Sequence, residues 1–165
     1  MKTVVVYESL WGNTAAIARA IAEGIGAEAQ ALSTDEASAA VVADADLVVA
    51  GAPLLGFTLP TDKMRAGIRT NPGRPPAPPD LSHPSLRSWL EALPAGEGRF
   101  AAFETRLRLS PGSAIADIAR GFERAGYRQV AEAQRFLVKG KFGPLRDGEL
   151  DKARRWGAEL ARAMG

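Results

Sequence analysis

The sequence predicts an α/β protein, built on an open, mostly parallel five-stranded sheet with helices on both faces. Strand-like and helix-like segments alternate five times along the 165 residues. Two strand-like segments, 2–7 and 46–52, are almost wholly apolar, which is typical of parallel strands buried on both faces. The length suits one core, so we interpret residues 1–165 as a single domain.

The first half of the chain is expected to supply three strands and three helices. The first helix carries Ile17, Ile21 and Ile25 at helical spacing, and Gly24 or Gly26 can end it in the left-handed conformation. In chain order the segments are strand 2–7, helix 13–26, edge strand 27–32, helix 35–44, strand 46–52 and a short helix near 60–68.

Residues 70–84 hold too many prolines for a helix or a strand. We interpret them as an excursion over the surface, because neither flanking part is long enough to be a second domain. The single histidine, His83, lies in this segment, far in sequence from the loops described below. We therefore expect His83 at the surface.

The second half continues the alternation. Ser110 can cap one helix with Pro111 in its first turn and Gly126 as its end, and Asp147 can cap the last helix. The segments are an amphipathic helix at 85–93, strand 98–104, the helix that starts at 110, strand 131–138 and the helix that starts at 147.

Composition excludes several classes of function. The chain has no cysteine, which excludes disulfides, thiolate catalysis, iron–sulfur clusters and cysteine-bound zinc. The net charge is +2 and the arginines are not interleaved with aromatic residues, so we expect no nucleic-acid partner. No stretch reaches the ~20 apolar residues of a membrane span and no secretory signal pattern is present, so we expect no membrane partner and a cytoplasmic location.

Small-molecule sites in open parallel sheets lie beyond the carboxyl ends of the strands, where the strand order reverses. Three loops meet that condition, at 8–14, 52–60 and 104–110. We call them the first, second and third loops. The site is therefore predicted where these loops converge.

The first loop has the residues of a phosphate-binding turn. It leads into a helix N-terminus, where free backbone N–H groups and the helix dipole favour an anion. Ser9, Asn13 and Thr14 add side-chain donors, and Gly12 permits a close backbone approach. No lysine follows the glycine, which argues against a nucleoside triphosphate and favours a phosphate monoester. The alternative is a plain helix cap, for which one of these polar side chains would suffice.

The chain resembles the flavodoxin family. The likeness is carried by Ser9-x-x-Gly12-Asn13-Thr14, close to the family's S/T-x-T-G-N-T phosphate loop, and by Ala102–Arg106, which reads A-F-E-T-R. The resemblance covers essentially the whole chain and implies the sheet order 2-1-3-4-5 and FMN as the cofactor. The cofactor-binding residues that it implies are Ser9, Leu10, Trp11, Gly12, Asn13, Thr14, Pro53, Leu54, Leu55, Gly56, Phe57, Glu104, Thr105 and Arg106.

Two loops depart from the family pattern. Trp11 replaces a threonine, so one hydroxyl donor is lost, and the indole either covers the loop or lies near the flavin or a dimer surface. The second loop lacks the family's hydroxyl and its polar-edged aromatic. Phe57 is the residue that could stack on the flavin ring there, although it could equally be a packing residue.

The third loop places Arg106 and Arg108 where classical flavodoxins carry acidic residues. A cation beside the flavin ring stabilises the reduced anion, so we predict a higher two-electron potential than in acidic flavodoxins. The alternative is that Arg106 pairs with Glu104 or a neighbouring acid.

Three functions fit these features. The first is an FMN-binding electron carrier, for which we expect no catalytic side chain and no metal site. The second is an NAD(P)H-dependent FMN-containing reductase of quinones or other small acceptors. The third is a module of this fold that has lost flavin and binds a protein. Expected partners are a redox protein or a small electron acceptor, and a homodimer is left open.

Overall fold

A computed structural model describes residues 1–165 and contains one sheet of six strands, all paired in parallel. The strand order β2-β1-β3-β4-β5 confirms the predicted 2-1-3-4-5 arrangement, and β6 also pairs with β4. The strands are β1 (Thr3–Tyr7), β2 (Ala29–Ser33), β3 (Leu47–Pro53), β4 (Arg99–Leu107), β5 (Arg128–Gln129) and β6 (Gln134–Val138).

The sheet has a sixth strand because β4 pairs with two short strands, β5 and β6, along the same side. The first residues of β4 pair with β5, and its residues from Phe103 to Leu107 pair with β6. Between them, the Gln129 side-chain amide donates to the Ala131 carbonyl at 2.8 Å. The strand predicted at 131–138 is therefore shorter than expected, with a two-residue strand before it.

Helices cover both faces of the sheet, as predicted. Alternate β1 residues face opposite ways: Val5 contacts the layer formed by α1 and α6, whereas Val4 and Val6 contact the layer that includes α4 and α5. The helices are α1 (Asn13–Ile25), α2 (Ala39–Ala43), α3 (Asp62–Thr70), α4 (Leu86–Glu91), α5 (Ile115–Arg124) and α6 (Glu149–Met164). None of these six combines the length and apolar content needed to cross a lipid bilayer.

Two glycines let α1 and α6 pack closely. A Cβ on Gly24 would lie 2.0 Å from the Arg154 carbonyl oxygen, and one on Gly157 would lie 2.2 Å from that of Ile21. Gly24 thus serves helix packing rather than helix termination. Gly26 ends α1, with a φ of 132° and a ψ of −173° instead of the left-handed conformation we predicted.

The predicted caps of two helices are wrong, and α2 begins at Ala39 rather than at residue 35. Strand β4 runs on to Leu107, and α5 begins at Ile115 rather than near Ser110. The Glu104 carboxylate accepts hydrogen bonds from the backbone N–H groups of Ala114 and Ile115, at 3.0 and 3.1 Å, so a residue distant in sequence caps α5. Similarly, α6 begins at Glu149 after Gly148, and Asp147 does not cap it.

The proline-rich segment 71–84 forms neither helix nor strand, and most of it is exposed, as expected of a surface excursion. Its C-terminal end is anchored to the sheet. The Asp80 N–H donates to the Leu10 carbonyl at 2.8 Å, and the Thr34 hydroxyl donates to the Pro84 carbonyl at 2.6 Å. The excursion therefore closes back onto the first loop.

Candidate functional site

The three predicted loops converge on one cleft of about 240 Å³ beyond the carboxyl ends of β1, β3 and β4. This is the position where the strand order reverses around β1. The cleft is lined by ten of the predicted residues, Leu10, Trp11, Asn13, Thr14, Pro53, Leu54, Leu55, Gly56, Thr105 and Arg106, and by Leu107, Ser110, Val138 and Lys141. Ser9, Gly12, Phe57 and Glu104 do not line it.

The first turn of α1 is free to bind an anion. Its N-cap residue is Gly12, with a φ of 94° and no side-chain cap hydrogen bond. The backbone N–H groups of Asn13 and Thr14 donate to no backbone acceptor. The Ser9 hydroxyl accepts a hydrogen bond from the Gly12 N–H at 3.1 Å and so shapes the turn from within. The free backbone donors of this turn therefore include the N–H groups of Asn13 and Thr14.

The polar side chains of the first loop are bound within the protein. The hydroxyls of Thr14 and Thr105 share a buried hydrogen bond of 2.8 Å, which ties the first loop to the third. The Asn13 side-chain amide donates to the Phe142 carbonyl at 3.2 Å. The plain-cap alternative is not what the structure shows, because none of these side chains caps α1.

Trp11 forms a wall of the cleft. Its ring meets the edge of the Phe142 ring, with centroids 5.1 Å apart and planes at 67°. The indole Nε1 is buried and has no hydrogen-bond partner. A second cavity of about 660 Å³ lies between the first loop and the proline-rich excursion, and Trp11, Ser9 and Gly12 line it. Trp11 therefore separates two cavities in addition to covering the loop.

The second loop turns its aromatic residue outward. Leu55 and Thr58 form an antiparallel bridge, and the two residues between them both have positive φ, 48° at Gly56 and 75° at Phe57. This tight reversal leaves the Phe57 side chain 67% exposed and outside the cleft. Leu54 and Leu55 line the cleft in its place.

The third loop contains a buried ion pair rather than a free cation. Arg106 Nη1 lies 2.9 Å from Glu104 Oε2 and donates to the Gly112 carbonyl at 3.1 Å. Glu104 is fully buried and also caps α5, so its carboxylate does not reach the cleft. The alternative, in which Arg106 pairs with Glu104, is therefore the arrangement that the structure shows. Arg106 does not support the predicted rise in flavin potential, because Glu104 balances its charge.

The expectation that His83 lies at the surface is wrong. His83 is 4% exposed, and its Nε2 accepts a hydrogen bond from the Ser9 N–H at 3.3 Å. Arg65, which lies on α3, donates to the His83 carbonyl and to Glu8 Oε2, the latter at 2.7 Å. Helix α3, the C-terminal end of the excursion and the start of the first loop thus meet in one buried polar network.

Glu8 is the acidic centre of this network. It is fully buried, and its Oε1 accepts a hydrogen bond from the Leu86 N–H at 2.9 Å. Burial raises the pKa of the Glu8 carboxyl, against the opposing effects of the Leu86 N–H and the Arg65 guanidinium. Sequence reasoning missed Glu8 and Arg65, since an acid at the end of a strand and an arginine on a short helix carry no local motif.

Solved structures resemble this chain along its full length. A flavodoxin from the domain Archaea is 23% identical with a TM-score of 0.69, and the match covers 99% of both chains. Oxidised flavodoxin 1 from Bacillus cereus is 20% identical with a TM-score of 0.69, covering 98% of both. A WrbA-like flavodoxin from Agrobacterium tumefaciens is 20% identical with a TM-score of 0.62, covering 99% of this chain and 96% of that one.

No protein-family model and no curated protein matches the sequence. The similarity to solved structures shows the fold: the chain is a flavodoxin-like α/β protein. The predicted resemblance to flavodoxins is thereby confirmed for the architecture, and the cleft lies at the strand-order reversal of that architecture.

Proposed function

We propose that this protein binds FMN in the cleft between its three loops and acts as an electron carrier. The observation that carries the proposal is the uncapped first turn of α1, which presents free backbone N–H groups at one end of a partly apolar cleft. That pairing suits a ligand with a phosphate at one end and a flat, largely apolar ring at the other. The flavodoxin-like fold supports it.

The residues present fit FMN. The buried indole Nε1–H of Trp11 lacks an acceptor, and a buried donor without a partner is costly unless a ligand satisfies it. A Cβ built on Gly12 meets no atom within 4 Å, so open space adjoins the backbone of the turn. The backbone of the first loop would hold the phosphate, and Trp11, Leu54 and Leu55 would bound the ring.

The chain's own contribution is binding and orientation. The bound flavin supplies the redox chemistry. The Thr14–Thr105 hydrogen bond fixes the first loop against the third, and the apolar side chains Leu54 and Leu55 restrict water at the cleft. No carboxylate, imidazole or thiol lines the cleft, so the lining offers no acid–base pair of the kind that a substrate-transforming enzyme uses. These features support a carrier.

A specific observation favours a second function, an NAD(P)H-dependent reductase. A groove next to the cleft is lined by three cationic residues, Arg108, Lys139 and Arg146. Two of them, Arg108 and Arg146, form no ion pair. Unpaired cations of this kind suit the phosphates of a nicotinamide nucleotide. Oxidation of NAD(P)H with a quinone acceptor, measured together with oligomeric state, separates the two functions.

The first experiment is a visible spectrum of the purified protein, followed by titration of FMN into the flavin-free form with fluorescence detection. Flavin absorption bands, or quenching that saturates at micromolar FMN or below, support the proposal. A colourless protein that leaves FMN fluorescence unchanged up to millimolar concentration, while circular dichroism shows an intact fold, overturns it and favours a protein-binding module.

A further inference from the structure

We propose that Lys141 provides the positive charge that binds the FMN phosphate, and so makes the protein prefer FMN over riboflavin. This inference rests on the proposed function and assigns a role to a residue outside the three loops. Lys141 lies in the 139–144 segment, between β6 and α6. The cleft is thus completed by a fourth segment of the chain.

The 139–144 segment is docked on the first loop. The Phe142 carbonyl accepts the 3.2 Å hydrogen bond from the Asn13 side chain, and the Phe142 ring packs against Trp11. A Cβ on Gly143 would lie 2.5 Å from Asn13 Oδ1, so the Asn13 side chain packs directly against the Gly143 backbone. Lys141 directly precedes this contact and is therefore held next to the first turn of α1.

Lys141 is the uncompensated charge of the cleft. It lines the cleft together with Asn13 and Thr14, and none of the ion pairs in the structure includes it. The other cation of the lining, Arg106, is neutralised by Glu104. The Lys141 ammonium lies 5.4 Å from the centroid of the Phe142 ring, an arrangement in which the ring face attracts the cation.

The charge of a phosphate monoester would be balanced better with such a group than with the first loop alone. The monoester carries a charge of about −1.5 to −2 at neutral pH. A helix N-terminus is equivalent to a charge of about +0.5. The Thr14 hydroxyl and the Asn13 amide are already hydrogen-bonded within the protein. Backbone donors alone would leave most of the negative charge unbalanced, and Lys141 is the nearby cation that can offset it.

The test compares Lys141→Gln with Lys139→Gln as a matched control. Lys139 lies two residues away, but it does not line the cleft and its ammonium lies 3.7 Å from Asp147 Oδ1. FMN and riboflavin are titrated into wild type and both variants at low and high salt. We expect Lys141→Gln to bind FMN about 10- to 100-fold more weakly at low salt, with a smaller difference at high salt because ions screen an exposed charge. Riboflavin affinity and the Lys139→Gln variant should change less than about twofold.

The outcomes separate this inference from the function on which it rests. If wild type binds FMN and Lys141→Gln binds it equally well at low salt, the role of Lys141 is overturned and the proposed function stands. The role is also overturned if wild type binds riboflavin as tightly as FMN. If wild type binds neither flavin, the proposed function itself fails. Circular dichroism of the variants confirms that each is folded.

Discussion

Trp11 differs from the threonine of the flavodoxin pattern in the hydrogen-bond donor that its side chain carries. A threonine there would offer a hydroxyl, whereas the indole offers Nε1–H, which is buried and has no acceptor in the protein. The ring also contacts Phe142 and bounds the cleft. The sequence showed that a hydroxyl had been lost, but the absence of a partner for the indole N–H depends on how the side chain packs.

Trp11→Phe tests whether that N–H binds the phosphate. The variant keeps an aromatic ring against Phe142 and removes the donor. We expect FMN to bind about 10- to 150-fold more weakly, the usual effect of losing one hydrogen bond to a charged group, with little change for riboflavin. Trp11→Thr, which restores the family's hydroxyl, is the matched comparison and should lose less FMN affinity. Equal FMN affinity in wild type and Trp11→Phe would contradict the role of the indole.

His83 makes a second point at the residue scale. A single histidine in a proline-rich segment predicts a surface residue, and no neighbouring residue in the sequence indicates burial. Its burial depends on Ser9 and Arg65, which lie far from it along the chain. Burial of a polar residue in a loop is decided by tertiary partners, so the sequence could not predict it.

His83→Ala should destabilise the fold. The substitution leaves the Ser9 N–H without its acceptor and creates a cavity, and together these effects cost about 2–3 kcal/mol of unfolding free energy. His83→Gln places an acceptor near the position of Nε2 and should cost about half as much. Urea unfolding monitored by circular dichroism measures both values. If His83→Ala lowers the unfolding free energy by less than about 0.5 kcal/mol, the buried His83 side chain is not needed for stability.

At the scale of elements, the pattern of apolar residues predicted which segments are strands and helices but not where α2 and α5 begin. Periodicity arises from burial along a single element, and it marked β1, β3, α1 and the other main elements correctly. Helix starts depend on capping groups. The start of α5 is capped by Glu104, in the preceding strand, and by the Ser113 hydroxyl, so the local capping sequence at Ser110 was misleading.

Asp117 connects two elements of the candidate site. This α5 residue accepts hydrogen bonds from the Thr58 hydroxyl and from the Leu59 N–H, the latter at 3.2 Å, and pairs with Arg87. Burial favours a higher pKa for the Asp117 carboxyl, but the hydrogen bonds and the Arg87 and Arg120 guanidinium groups outweigh it and lower the pKa. Asp117 thereby fixes the second loop to α5.

Asp117→Asn should lose stability in a pH-dependent way. A carboxyl whose pKa is lower in the folded state stabilises the fold above its unfolded-state pKa, near 3.8, and this contribution is lost as the pH falls through the folded-state pKa. We expect a deficit of about 1 kcal/mol at pH 7, limited by solvent screening, that shrinks below about pH 4. Urea unfolding from pH 3 to 7 measures this deficit. The control is Asp151→Asn, at an exposed position of α6. A deficit that is constant with pH would contradict the assigned role.

At the scale of the whole molecule, the site exists because distant segments meet at one edge of the sheet. The three loops could be predicted from the sequence because each follows a recognisable strand. The 139–144 segment could not, because its position depends on contacts of Phe142 and Gly143 with the first loop and not on any local motif. Because the cleft is assembled from distant segments, it forms only in the native state. A ligand that binds the cleft therefore stabilises the fold.

This coupling makes protein stability a measure of flavin binding that is independent of spectroscopy on the flavin. A ligand that binds only the native state raises the free energy of unfolding by about 2.7 kcal/mol at 100 times its dissociation constant. We expect the urea midpoint of wild type to rise with the logarithm of FMN concentration. Lys141→Gln should need about 10- to 100-fold more FMN for the same shift, whereas Lys139→Gln should follow wild type. A wild-type midpoint that stays constant from micromolar to millimolar FMN would show that the native cleft does not bind this flavin.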